Sequence, residues 1–166
     1  MFPPSYQRYV DLVPEKDITA ALEQQGRVTA AMLRGLDEKK AAFRYEPEKW
    51  SVKQVVGHFT DTERIFGYRA LAIARGETKS LPGFDENAYA AAADFDHRPM
   101  RDLAGDYEVV RRSTVALFRS LSEDAWSRSG KANEVDVDVR GLAYMTLGHE
   151  RHHLRVLRER YGIKAG

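Results

Sequence analysis

Two histidines four residues apart near the C-terminal end of the chain are the residues best suited to chemistry. His149 and His153 enclose Glu150, Arg151 and His152 in a segment whose apolar spacing predicts a helix. Residues at i and i+4 lie on one helical face about one turn apart, so both imidazoles face the same way. With a third histidine from another element, such a pair makes a metal site with an open position for water or substrate.

The candidate third histidine is His58, far upstream in a second segment with helical spacing. At about 100° per residue it projects with Val55 and Thr62 toward the apolar side of that segment. Core packing alone explains one inward histidine, but an inward pair at i and i+4 needs a buried polar partner for each ring. One shared metal ion satisfies all three rings. We therefore predict a divalent metal site on His58, His149 and His153.

The two other histidines are weaker candidates. His97 stands beside Arg98 and Pro99, and we expect it to be a solvated loop residue. His152 lies about 100° from His153 around the helix and cannot share its direction. It is either a donor that supports the ligands or a residue on the rim, and a structural role is favoured.

Two carboxylates near His58 could act just outside the ligand set. Asp61 is one turn past His58 and could orient a ligand or a bound water, while Glu63 lies farther round and could reach the mouth of the site. For both, an ordinary surface or salt-bridging role is favoured. Three arginines could bind an anionic substrate but are expected to be solvated: Arg64, Arg69 and Arg155.

The segment from His149 to His153 also matches H-E-x-x-H, the zincin protease motif, in which Glu150 would be the general base. The sequence gives three reasons against this interpretation. Only 13 residues follow His153, too few for a distant ligand helix. The metzincin variant needs a glycine and a third ligand where this chain has Val156 and Glu159. Zincins also bind peptides along a sheet edge, and the sequence predicts no substantial sheet.

Composition limits the classes of function. Lys plus Arg (26) nearly balance Asp plus Glu (25), and the signs are interleaved, so we expect neither nucleic-acid nor membrane-surface binding. The chain has no cysteine, which excludes disulfides and any protein thiolate. No apolar run approaches the roughly 20 residues of a transmembrane helix. The first residues do not resemble a signal peptide, so we expect a cytoplasmic protein.

Helical periodicity predicts the elements that must position the histidines. The second helix has the clearest start, because Ser51 and Gln54 have the spacing of a capping box. Gly162 is a suitable end for the last helix. The four predicted helices span residues 17–36, 51–75, 101–121 and 139–161.

The connections between these helices differ in length. Residues 78–99 form a link too long for a tight turn, so we expect a crossover that could carry a short helix. Val135, Val137 and Val139 alternate with acidic residues, which indicates a short extended segment. The predicted fold is all-α, a four-helix bundle with a long crossover between its second and third helices. Residues 1–166 are expected to form a single domain.

Several segments resemble the DinB/YfiT-like family of metal-binding four-helix bundles. The resemblance extends over most of the chain, and two blocks carry it, the first around His58 and the second around His149 and His153. The first two segments are residues 50–63 (WSVKQVVGHFTDTE) and 148–155 (GHERHHLR). Residues 81–86 (LPGFDE) and the ending 160–162 (RYG) are also similar to members of this group.

The resemblance implies that His58, His149 and His153 are the metal ligands, the same three residues that helical spacing selects. It further implies one divalent ion, often zinc or nickel, and frequent homodimers. Characterised members transfer low-molecular-weight thiols such as bacillithiol or mycothiol. The family name refers to damage-inducible expression and implies no binding of DNA.

These observations support two classes of function. The first is a metal-dependent enzyme acting on a small molecule, either a hydrolase or a small-thiol S-transferase, whose metal-bound water or thiol loses its proton near neutral pH. The second is a non-enzymatic bundle that binds a structural metal or a small ligand. A fourth protein ligand, with His152 or Glu63 as the candidate, would favour the second class, and an open position facing a cavity would favour the first.

Overall fold

A computed structural model describes residues 1–164 of the chain. The last two residues of the predicted domain, 165 and 166, lie outside the described residues. The α-helices are α1 (Gln7–Val10), α2 (Ile18–Arg34), α3 (Glu38–Ala41), α4 (Val52–Ala74), α5 (Glu86–Ala92), α6 (Met100–Arg119), α7 (Glu123–Ser127) and α8 (Val139–Tyr161). Two strands, β1 (Ser129–Ala132) and β2 (Val135–Asp138), form an antiparallel hairpin, and 3₁₀ turns span Pro4–Tyr6 and Phe95–His97.

The four long helices of the described chain, α2, α4, α6 and α8, form a bundle. Helix α2 packs on α6, and α4 packs on both α6 and α8. The connection from α4 to α6 is long and carries α5 and the second 3₁₀ turn. The prediction of an all-α four-helix bundle with a long crossover is confirmed. No helix within residues 1–164 combines the length and the apolar character needed to cross a membrane.

Local signals fix the ends of the two helices that carry the histidines. The Ser51 hydroxyl accepts a hydrogen bond from the Gln54 amide, and the Gln54 side chain accepts one from the Ser51 amide, each at 3.0 Å. This is the predicted capping box, and its Ser51 cap lies about two turns before His58. Helix α8 begins with Asp138 as its N-cap and ends at Gly162, whose φ of 67° is the left-handed conformation that glycine favours.

A buried polar layer lies between two apolar clusters of the bundle. The cluster nearer the hairpin includes Leu22, Phe66 and Leu142, and the cluster at the opposite end includes Phe59 and Leu157. On each long helix, one member of this layer lies between residues of the two clusters. The central polar layer consists of Thr29, Glu63, Tyr107, Arg111 and Glu150.

The short elements close one side of the bundle around the start of α8. Helix α1 lies along α8, and the crossover contacts the hairpin where the Leu81 amide donates to the Lys131 carbonyl at 2.9 Å. Strand β2 confirms the predicted extended segment, although α8 already begins at Val139. The sequence analysis did not predict α1.

Candidate metal centre

The three predicted histidines converge in the described structure. The Nε2 atom of His149 lies 3.2 Å from Nε2 of His58 and 3.1 Å from Nε2 of His153. All three candidate ligand atoms lie within 4.8 Å of one another. The rings of His58 and His149 are buried and that of His153 is partly buried. Helix α4 therefore supplies one imidazole and α8 supplies the other two.

The arrangement of nitrogens fits a single metal ion. A tetrahedral ion with Zn–N bonds of about 2.0–2.1 Å holds its ligand nitrogens about 3.3–3.4 Å apart, close to the two observed separations. Hydrogen bonding alone does not account for the cluster. The Nε2 of His149 faces two other Nε2 atoms, but a neutral imidazole nitrogen can be only a donor or an acceptor. Three lone pairs directed at one cation satisfy all three nitrogens.

Burial keeps these imidazoles in the form that binds metals. Burial lowers the pKa of His58 to about 4. Burial, with a smaller effect of His58, lowers the pKa of His153 to about 3. The pKa of His149 falls well below its usual range, first through burial and then through repulsion from the neighbouring histidines. The rings are therefore neutral at pH 7, and neutral imidazole is the ligand form.

Aromatic side chains hold the histidine rings in place. Trp50 packs on His58 with ring centroids 4.9 Å apart, and Tyr9 of α1 packs edge-on to His149 at 5.4 Å. Gly148 makes the second contact possible, because a Cβ atom at this position would lie 2.1 Å from the Tyr9 carbonyl oxygen. The sequence analysis missed Tyr9; the glycine before His149 was the available signal of a close backbone approach.

A cavity of about 340 Å³ adjoins the cluster and reaches His149. Its walls come from the N-terminal segment, α4, the crossover, the hairpin and α8, and the polar lining includes Tyr6, Thr62, Arg69 and Glu86. The cluster is thus next to a space large enough for a small molecule.

Glu86 is a residue of the mouth that the sequence analysis missed. Asp85 caps α5 by accepting hydrogen bonds from the amides of Asn87 and Ala88, so Glu86 is the first residue of that helix. Its Oε2 atom lies 4.0 Å from Nε2 of His58, and 60% of its side chain is exposed. It places an acidic group beside the histidine cluster, on a short helix that the sequence pattern did not delimit.

The remaining polar candidates occupy different places. Asp61 accepts a hydrogen bond from Arg64 at 2.7 Å, in keeping with a salt-bridging role. His152 packs against the rings of Tyr9 and His153, each at 5.2 Å between centroids, so it lies beside the cluster. His97 is exposed in its 3₁₀ turn, as predicted.

Glu63 has the salt-bridging role that the sequence analysis favoured, but it has this role in the interior of the bundle. Glu63 does not reach the mouth; it is 3% exposed, and its two oxygens accept hydrogen bonds from Nε and Nη2 of Arg111, each at 2.8 Å. The cause is Arg111 on α6. Helical spacing alone cannot reveal that this residue lies opposite α4. With both oxygens bound in this way, Glu63 is an unsuitable fourth metal ligand.

Glu150, which would be the general base in the zincin interpretation, also lies in the interior of the bundle. Glu150 is 2% exposed and points into the central polar layer, neither beside the pocket nor to solvent. Its Oε1 accepts from the Thr29 hydroxyl at 2.6 Å and from the Tyr107 hydroxyl at 2.7 Å, and its Oε2 accepts from Arg111 at 2.5 Å. A carboxylate held by three donors is unsuited to the base role of the zincin motif.

Arg69 departs from the sequence analysis, which expected it to be solvated. It is 5% exposed, lines the cavity and packs over the ring of Phe66, with its Cζ atom 5.9 Å from the ring centroid. Arg69 lies on the same side of α4 as His58, because eleven residues complete about three whole turns.

The protein is a four-helix bundle with a three-histidine cluster beside a cavity. It therefore falls in the class of helical bundles whose side chains can hold one metal ion. Residues 21–157 match the model of the DinB superfamily, and the chain belongs to this superfamily. A protein of Oceanobacillus iheyensis named "Putative metal-dependent hydrolase OB0413" is 24% identical over 151 residues, covering 86% of each chain.

The fold also has a solved counterpart. YfiT from Bacillus subtilis, described as "a probable metal-dependent hydrolase with an unusual four-helix bundle topology", matches with a TM-score of 0.70 and 17% identity. The match covers 99% of this chain and 92% of YfiT. At this identity, the likeness establishes the shared bundle fold.

Proposed function

We propose that this protein is a metal-dependent hydrolase of a small molecule, with one divalent ion, zinc or nickel, on His58, His149 and His153. The observation that carries the proposal is the convergence of three neutral imidazole nitrogens, two of them on buried rings, next to a cavity. The descriptions of the two relatives, both as metal-dependent hydrolases, support the same class of reaction. The three-nitrogen set leaves a position for water or substrate, as in catalytic zinc sites.

When bound, the ion supplies a Lewis acid and lowers the pKa of a coordinated water to about 7. The protein groups then have separable roles. The three imidazoles fix the ion, and the aromatic contacts of Trp50 and Tyr9 fix two of the rings. Glu86, whose Oε2 is 4.0 Å from the His58 nitrogen, is positioned to take up a proton at the mouth. The cavity walls hold the substrate.

The nature of the nucleophile separates two reactions that this site could perform. A low-molecular-weight-thiol S-transferase is the second candidate, because the chain contains no cysteine and a thiol nucleophile must come with a substrate. The same three histidines would hold the ion in both reactions. A purely structural metal is less favoured, because Glu63, one candidate for a fourth protein ligand, is bound to Arg111.

Metal content is the first test. Purified protein should hold about one divalent ion per chain, and His58→Ala should reduce metal affinity at least tenfold. His97→Ala is the matched control, because His97 lies exposed in a 3₁₀ turn, and it should bind metal like the wild type. Full metal affinity in His58→Ala would refute the three-histidine site.

Activity is the second test. The metal-loaded protein should be screened against small esters and amides, and separately against electrophiles with added small thiols. Glu86→Gln should retain the metal while kcat falls about 10²- to 10⁴-fold, the usual contribution of a general acid or base. Unchanged kcat in that variant would remove Glu86 from the mechanism. Metal binding without turnover in either screen would favour the non-enzymatic binding bundle.

A further inference from the structure

Arg69 is a buried cation without an acidic partner in the described structure. Its Nη2 atom donates to the Pro82 carbonyl at 2.7 Å, and among residues 1–164 no carboxylate oxygen lies within the 4.0 Å of a salt bridge. The contrast is Arg111, equally buried, which faces two carboxylates. A buried charge is costly unless a counter-charge compensates it. The position of Arg69 on the cavity wall suggests that the counter-charge is a ligand.

Thr62 provides an independent observation in the same cavity. Its hydroxyl is buried and has no hydrogen-bond partner, although buried polar atoms are nearly always bonded. Thr62 lines the cavity with Arg69, and seven residues place the two side chains on the same face of α4, two turns apart. A residue with an unpaired hydroxyl and a guanidinium without a carboxylate partner thus line the same cavity.

Tyr6 adds a further group to this wall. It lines the cavity, and its ring packs edge-on to Phe66 with centroids 5.9 Å apart. Burial raises the pKa of Tyr6, and the charge of Arg69 opposes this rise. The phenol is therefore protonated at neutral pH and can donate a hydrogen bond. A negatively charged group lies nearer the histidines, where the Glu86 carboxylate is next to His58.

We propose that the cavity binds a small molecule with an oxyanion group, a carboxylate or a phosphate, held by Arg69 and Thr62 while the other end faces the histidine cluster. This proposal rests on the proposed function and adds the substrate class. The cavity wall on α8 runs from Leu142 to His149, seven residues and about 10 Å at 1.5 Å per residue. The volume of about 340 Å³ likewise fits an extended small molecule. A guanidinium forms paired hydrogen bonds with either oxyanion.

The test is an NMR titration of the ¹⁵N-labelled full chain, in metal-free and zinc-loaded forms, with butyrate, inorganic phosphate and neutral butyramide. At least one anion should shift the amide signals of residues 62–69 and of the loop around Pro82 in both forms. Butyramide should bind at least tenfold more weakly. The relative affinities of butyrate and phosphate identify which oxyanion the site prefers.

Arg69→Met should weaken binding of the preferred anion at least tenfold, and Thr62→Val should weaken it severalfold. Arg64→Met is the matched control on the same helix, because Arg64 is half exposed and paired with Asp61, and it should bind within twofold of the wild type. If Arg69→Met does not fold, Arg69→Lys tests whether anion binding needs the paired N–H donors of a guanidinium. The Thr62→Val variant and the comparison with butyramide then decide whether the oxyanion site exists.

Failure of this proposal and failure of the metal proposal give different results. Equal binding of butyrate and butyramide, no binding of either anion by the wild type, or unchanged binding in Arg69→Met overturns the oxyanion site. Anion binding by a protein that takes up no metal overturns the proposed function and retains the oxyanion site. Metal uptake without anion binding gives the reverse conclusion.

Discussion

Replacing Arg111 by methionine should be among the most damaging single changes to this fold. The guanidinium donates to both oxygens of Glu63, to Glu150 and, through Nη1, to the Leu22 carbonyl at 3.0 Å. Burial lowers the pKa of Arg111, but the charges of Glu150 and Glu63 outweigh this effect and raise the pKa well above its usual range. Arg111→Met keeps most of the side-chain volume and leaves two carboxylates without their cation.

The expected loss follows from the burial of the partners. Glu63 and Glu150 are 3% and 2% exposed, so water cannot replace the missing guanidinium. Breaking a buried ion pair by removing one partner costs about 3–5 kcal/mol, out of a total stability of about 5–15 kcal/mol for a typical domain. For a chain of this size the melting temperature should fall by about 6–20 °C.

The decisive assay is a double-mutant cycle with Glu150→Gln, measured by urea unfolding. In the wild type, Glu150→Gln removes a charge-assisted hydrogen bond and should cost about 1.5–3 kcal/mol. In the Arg111→Met background, the same change removes one of two uncompensated charges, so it should stabilise the protein. The coupling energy should be about 2 kcal/mol or more, within the range for residues in contact.

Arg112→Met is the matched control, since Arg112 is the exposed neighbour on α6; it should change stability by less than about 0.5 kcal/mol. The reasoning fails if Glu150→Gln destabilises Arg111→Met as much as it destabilises the wild type. Additive losses would mean that the two side chains contribute through packing and that their charges are not coupled. An Arg111→Met chain that is unfolded at 25 °C still allows the test, because the double variant should then recover folded structure.

Three further outcomes are expected. Chelation of the metal should lower the melting temperature by mass action while circular dichroism remains predominantly helical, because the apolar clusters carry most of the folding energy; complete unfolding would contradict this. The metal-loaded protein should show no peptidase activity, and Glu150→Gln should keep metal affinity within about tenfold, or 1.4 kcal/mol; peptide cleavage that this variant abolishes would restore the zincin hypothesis. Gly148→Ala should displace α1 and lower stability, because the added Cβ would lie 2.1 Å from the Tyr9 carbonyl oxygen; a melting temperature equal to that of the wild type would show that the contact is not needed.

Helical spacing alone could predict the bundle and the convergence of the histidines, because both depend on which face of a long helix is apolar. His149 and His153 share a face by geometry, and His58 lies on the apolar face that α4 must bury against α8. The capping box at Ser51 predicts the residue at which α4 begins. Each of these features depends on the spacing of residues within one segment and can therefore be predicted from the sequence.

The partners of the charged residues could not be predicted in the same way. The buried position of Glu63 depends on Arg111, 48 residues away in the chain, and only the pairing of α4 with α6 brings the two together. Arg69 looked solvated because its burial depends on the crossover and the N-terminal segment, which fold over α4. Tyr9 and Glu86 lie on helices of four and seven residues, too short for a periodic pattern.

The H-E-x-x-H segment shows why a motif depends on the fold that surrounds it. One residue along a helix is a rotation of about 100°, so His149 and Glu150 necessarily face different directions. In this bundle α8 has neighbours on both sides: His149 faces α4 and α1, whereas Glu150 faces the side chains of α2 and α6. Both of its oxygens accept hydrogen bonds there, so neither is directed at water. The same five residues thus serve a histidine cluster on one side of the helix and a structural charge network on the other.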